Sequence, residues 1–181
     1  METIDAVDAV EDILDDAAEA IPPPARSFLG GAWLGHPLHP VLTDLPIGFW
    51  TASFLLDFFG GRKTRRASAA FVGLGVSAAV PTVAAGLVEY QKLGADDEKR
   101  QTAVVHTVSN LVGTLLYLWS LLARLRGKRG KGIVLGLCGA AAVTVGGYLG
   151  GQLAYGKGED EAMTIETRPD TDRDGPIRVA V

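Results

Sequence analysis

The chain has 181 residues, of which 48% are hydrophobic and 21% charged, and its formal net charge is −4. That length suits a single domain, and the charge average conceals two acidic tails and two basic loops, so it does not by itself define a partner. The single cysteine, Cys138, excludes an intrachain disulfide and any site built from several thiolates, and its apolar surroundings predict a small buried hydrophobe.

Residues 1–25 read as an acidic N-terminal tail. The opening Met1-Glu2-Thr3-Ile4-Asp5 has no basic residue, so no signal peptide is expected and the first spanning helix would direct its own insertion. Residues 1–21 hold eight acidic and no basic side chains, with Ile4, Val7, Val10, Leu14, Ala17 and Ile21 at helical spacing. This predicts a short amphipathic helix, stopped by Pro22, Pro23 and Pro24, and either solvated or docked on a basic partner.

Residues 26–156 hold four apolar runs: Pro40 to Phe59, Ala67 to Val88, Thr102 to Ala123 and Gly132 to Tyr155. A bilayer core of about 30 Å needs about 20 helical residues. The last three runs meet that length with charges only at their ends. The first is the weakest, because Asp44, Pro46 and Asp57 interrupt it; the expectation there is a helix starting at Leu45, capped by Asp44, with Pro46 in its first turn. Runs two and four show no polar face, which a soluble bundle would require. The predicted fold is all-α, a four-helix transmembrane bundle. A histidine at the start of each helix pair and a basic loop within each suggest two related hairpins. Residues 157–181 read as a polar, disordered tail.

Loops 60–66 and 124–131 carry basic residues and no acid, whereas Glu89 to Gln101 is mixed. Short basic loops stay in the cytoplasm, so a multi-pass protein of the cell membrane with both termini outside is expected. Gly132 and Gly136, Gly146 and Gly150, and Gly147 and Gly151 are spaced for close helix contact, within the bundle or in a homodimer. Pro81 predicts a kink in the second span.

With that topology the polar residues gather at the outer face. His36, His39 and Asp44 start the first span, Glu89 and Tyr90 end the second, His106 and Asn110 start the third, and Gln152 and Tyr155 end the fourth. All three histidines of the chain are in this set, and ionisable groups within a membrane point to function.

The segment Trp33-Leu34-Gly35-His36-Pro37-Leu38-His39-Pro40, with Leu42-Thr43-Asp44 and Pro46-Ile47-Gly48-Phe49-Trp50, resembles the signature of a bacterial membrane-protein family, domain of unknown function 2231. Ala85-Gly86-Leu87, Glu89-Tyr90, Val105-His106, Asn110-Leu111 and Gly146 to Gly151 follow in the family's order, over about residues 26–156. The resemblance implies four membrane helices and no established activity. Some relatives look like this domain joined to a Rieske-type iron–sulfur domain, which hints at redox work; no Cys-x-His pattern follows Tyr155 here. Many members carry histidine in place of Gln152 and Asp-Trp in place of Glu89-Tyr90, which puts any ligand role of those positions in doubt.

Three functions follow as expectations. The leading one is a non-catalytic scaffold or accessory subunit that binds a membrane or redox protein. The second is a b-type haem module, pairing His106 with His39 or His36. The third is a divalent metal site of His36, His39 and His106 with Asp44 or Glu89, Asn110 and Gln152 giving polar support to either site. No nucleophile elbow, phosphate loop or zinc-protease motif is present, so no enzyme is expected. The juxtamembrane basic loops read as lipid contacts, not as a nucleic-acid surface.

Overall fold

The structure is a computed structural model that describes residues 2–94 and 96–166, with side chains described over 7–94 and 96–155. Six α-helices follow in order: α1 Glu2–Glu19, α2 Pro23–Leu29, α3 Leu38–Phe59, α4 Arg65–Tyr90, α5 Asp97–Leu125 and α6 Arg129–Glu166, with one 3-10 turn at Gln91–Leu93. Four helical stretches are long and apolar enough to cross a bilayer: Leu38–Phe59, Arg65–Leu93, Asp97–Leu125 and Arg129–Tyr155. Residues 157–166 of the expected polar tail continue α6, and residues 167–181 lie outside the described residues.

The first span corrects the sequence expectation. It starts at Leu38, with Pro37 as N-cap, and not at Leu45. Pro40 is tolerated because the N–H groups of a first turn have no helical partner. Asp44 is therefore an exposed residue within the helix and caps nothing. Pro46 lies inside α3, where a missing N–H should leave the Leu42 carbonyl unpaired. The Thr82 hydroxyl of α4 lies 3.2 Å from that carbonyl and shares its single proton between it and the Ala78 carbonyl of its own helix, 2.8 Å away.

α3 and α4 form one antiparallel hairpin, and α5 and α6 form a second with the same internal plan. His39, Trp50, Ser53 and Asp57 on α3 correspond to His106, Tyr117, Ser120 and Arg124 on α5, at a constant separation of 67 residues. Gly75, Thr82 and Gly86 on α4 correspond to Gly139, Gly146 and Gly150 on α6, at a constant separation of 64 residues. The corresponding residues meet: the His39 and His106 rings lie 6.2 Å apart, Trp50 stacks on Tyr117 at 4.0 Å, and Arg124 binds Asp57 at 2.6 Å. α3 and α5 thus face each other in parallel register about a lengthwise pseudo-two-fold axis, as the related-hairpin expectation supposed.

The centre of this axis is the Trp50–Tyr117 stack, buried with Val72 and Ala79. A Cβ on Gly75 would collide with the Trp50 indole, so that glycine lets the ring sink against α4. Trp50→Ala is expected to cost about 3–5 kcal/mol, the usual range for emptying a large aromatic site. A chemical-unfolding curve in detergent micelles would measure it; a loss below 1 kcal/mol would mean that the stack does not hold the hairpins together.

The acidic α1 folds back on its own chain. Leu14 is buried with Tyr90, Ala103 and Val104, and Val7, Val10 and Leu153 pack around them. Arg100 binds Glu11 at 3.0 Å and Asp15 at 2.6 Å, with its guanidinium 4.6 Å above the Tyr90 ring. Arg26 donates to the carbonyls of Glu19 and Ile21, closing the C-terminal end of α1. The basic surface that this tail docks on is therefore Arg100 of α5. Leu14→Asp is expected to release α1 and leave the spans intact; faster amide exchange confined to residues 7–19 is the result to look for.

Candidate functional site

His39 sits in the first turn of α3 and His106 about 13 Å along α5 from Asp97, by helical rise. α5 begins outside the bundle, where it carries α1, so the two rings reach the same level. Their planes are 78° apart.

Each ring is held by a carbonyl of the next helix. His39 Nδ1 lies 2.9 Å from the Thr82 carbonyl oxygen, and His106 Nδ1 lies 2.7 Å from that of Gly146. A carbonyl only accepts, so Nδ1 must carry the proton in both rings. In the neutral ring Nε2 is then left with its lone pair. Glycines make room for both rings: a Cβ on Gly86 would come 3.0 Å from His39 Cε1, and one on Gly150 would come 2.9 Å from His106 Cε1. The Asn110 amide donates to the His106 carbonyl at 2.8 Å and rests 3.4 and 3.5 Å from the two ring nitrogens. Thr43 repeats that bond on the other hairpin, donating to the His39 carbonyl at 2.7 Å.

The other expected site residues do not join the pair. His36 is exposed in the preceding loop, its Nδ1 3.1 Å from the Pro37 carbonyl. That loop closes at Gly31, whose φ of 78° suits glycine and where a Cβ would meet the His36 carbonyl. Asp44 is exposed, Glu89 is paired with Lys92, and Gln152 is exposed with its amide 3.0 Å from Tyr148 Oη. Gln152 bonds to neither histidine. Among the described residues no group of three or more His, Cys, Asp or Glu side chains could hold a metal ion.

Two of the three small-residue spacings are used inside the bundle. Gly132 and Gly136 face Ser120, Arg124 and Tyr117, and Gly146 and Gly150 face Asn110 and His106, whereas Gly147 and Gly151 meet nothing within 4 Å. Cys138 is exposed on the outside of α6 and not buried as expected. An apolar run in a membrane helix includes its lipid-facing side, which composition alone reads as interior.

At the opposite end of α3, about 27 Å from His39 by helical rise, lies a cluster that sequence reasoning passed over. Asp57 is 3% exposed and accepts from both terminal nitrogens of Arg124, which is 6% exposed. Arg129 binds the same carboxylate at 3.2 Å, and the Ser68 hydroxyl donates to it at 2.9 Å. The signal was available: Asp57 is the sole acid between Asp44 and Glu89, beside nine basic residues of the two loops and adjoining helix ends.

No curated protein sequence and no solved structure matches the chain. A family described as predicted membrane protein (DUF2231) matches residues 35–160, a range that contains all four spans, the paired histidines and the buried charge cluster. The chain therefore belongs to this family of predicted membrane proteins.

Proposed function

We propose that the bundle is a membrane redox module that holds one b-type haem between His39 and His106. The observation that carries this reading is the ring pair itself. Two imidazoles bound through nitrogen to one metal ion, at about 2 Å each, stand about 6 Å apart centre to centre, and these rings stand 6.2 Å apart. Both give their Nδ1 to a backbone carbonyl, the outer contact that metal-binding histidines commonly make. The separation favours His39 over His36 as the partner of His106.

The same geometry weighs against a bare divalent ion. Zinc takes three or four protein ligands, and among the described residues the pair has no third acid, thiol or imidazole with it. A haem supplies four nitrogens and asks the protein for two. When bound, it supplies one-electron transfer. The chain's own residues would fix ring direction through Thr82 and Gly146, admit the rings at Gly86 and Gly150, and keep water away with the surrounding apolar helices.

Titration of the detergent-purified full chain with hemin tests this reading. Saturation at one hemin per chain with a shifted Soret band is expected; a spectrum that stays that of free hemin would return the protein to the scaffold reading, for which the outward Gly147 and Gly151 offer a helix-packing face.

In the cell membrane, loops 60–66 and 124–131 are assigned to the cytoplasm and both termini to the outside. Both basic hairpin loops lie at the Asp57 end, and Glu89, Asp96, Asp97 and Glu98 lie at the histidine end. Alkaline phosphatase fused after residue 181 should be active and a fluorescent protein fused there dark; the reverse result would invert the bundle and put the histidine pair inside.

A further inference from the structure

We propose that the recess between α4 and α5 at the basic end binds the phosphate headgroup of an anionic phospholipid. The recess holds about 550 Å³ and is rimmed by Arg65, Arg66, Arg124 and Arg129. Among the described residues no carboxylate lines it. Arg124 is neutralised by Asp57, and Arg129 shares that carboxylate with it. One acid thus faces two guanidiniums, leaving a net positive charge to which the exposed Arg65 and Arg66 add. Neither Arg65 nor Arg66 has an ion pair among the described residues. Arg129 Nε is buried with no hydrogen-bond partner among the described residues.

The position selects a lipid over a free anion. α4 starts at Arg65 and α5 ends at Leu125, so the arginines stand where apolar spans meet the headgroup layer. Below them the wall turns apolar, through Ala69, Gly73 and Leu121. Gly73 carries no side chain to fill this wall, and a Cβ there would only reach Leu121 at 3.6 Å. An acyl chain can run down that wall into the bilayer while its phosphate stays among the guanidiniums. Planar guanidiniums are suited to paired hydrogen bonds with phosphate oxygens, and basic pockets between membrane helices are a known setting for anionic headgroups.

Binding to the full chain in a neutral detergent can be counted by native mass spectrometry with added phosphatidylglycerol, against phosphatidylcholine as the neutral comparison. The double variant R65Q/R66Q is expected to bind phosphatidylglycerol about tenfold more weakly. R62Q/K63Q removes the same charge from the same loop outside the recess and should bind within about twofold of the native chain. Equal loss in both variants would reduce the effect to general charge and overturn the site, as would equal binding of phosphatidylcholine. Complete displacement of the lipid by millimolar inorganic phosphate would make the ligand a free anion and overturn the lipid assignment. Neither variant touches the histidine pair, so the outcome is independent of the haem reading.

Discussion

His106→Ala is expected to remove bound haem completely, and His39→Ala to do the same, whereas His36→Ala should keep a native spectrum. The argument is one of coordination. Each paired ring offers a single free nitrogen, and no third imidazole stands within the pair to replace a lost one. His36 lies in the loop outside. A merely unfolded variant would also lose haem, so helix content and micelle elution must be compared. His106→Gln fills most of the space and separates the two causes: a folded protein with no Soret band is the expected outcome. Gly150→Ala acts without touching a ligand. Its Cβ would press on His106 Cε1 and displace the ring, and faults of this kind around a metal ligand weaken binding about 10–100-fold. If His39→Ala and His106→Ala both keep the spectrum of the native chain, the pair is structural.

Asp57→Ala should be strongly destabilising. It leaves the nearly buried Arg124, 6% exposed, and part of Arg129 without their shared carboxylate. Breaking a buried pair by removing one partner costs about 3–5 kcal/mol. Arg124→Ala should cost a similar amount, and it also removes a donor to the Ser68 hydroxyl. The double variant D57L/R124M is the discriminating one. With both charges gone and the volume kept, it should recover most of the loss, because paired buried charges add little over well-packed apolar groups. Unfolding in denaturant-titrated micelles reads all three. Additive losses in the double variant would mean that each side chain acts through other contacts.

The spans were legible because lipid imposes a rule that composition obeys: Ala67 to Val88 and Gly132 to Tyr155 read as apolar on all sides. The start of α3 was not. Asp44 followed by Leu45 and Pro46 is a locally sound helix start, but α3 runs through it, with the Thr82 hydroxyl of another helix 3.2 Å from the Leu42 carbonyl. Local spacing cannot show that a residue 40 positions away will approach that carbonyl. The histidines were visible as residues and as an end of the bundle, and the hairpin echo pointed to His36 or His39 opposite His106. Choosing His39 needed the register of α3, which the misplaced helix start had hidden. The Asp57 cluster was missed for a related reason: at the edge of an apolar run a lone acid looks like a span boundary, and only parallel packing of α3 on α5 turns it inward. The acidic tail forms α1, and the basic group it docks on, Arg100, lies within the same chain.

The reduced-minus-oxidised visible spectrum of the full chain, purified in detergent from cells with ample haem supply, tests the central claim most directly. Two imidazole ligands on one iron predict a sharp α-band and a shifted Soret peak at one haem per chain. A featureless spectrum from folded protein would contradict the claim, leaving His39 and His106 as two hydrogen-bonded rings that lock one hairpin against the other.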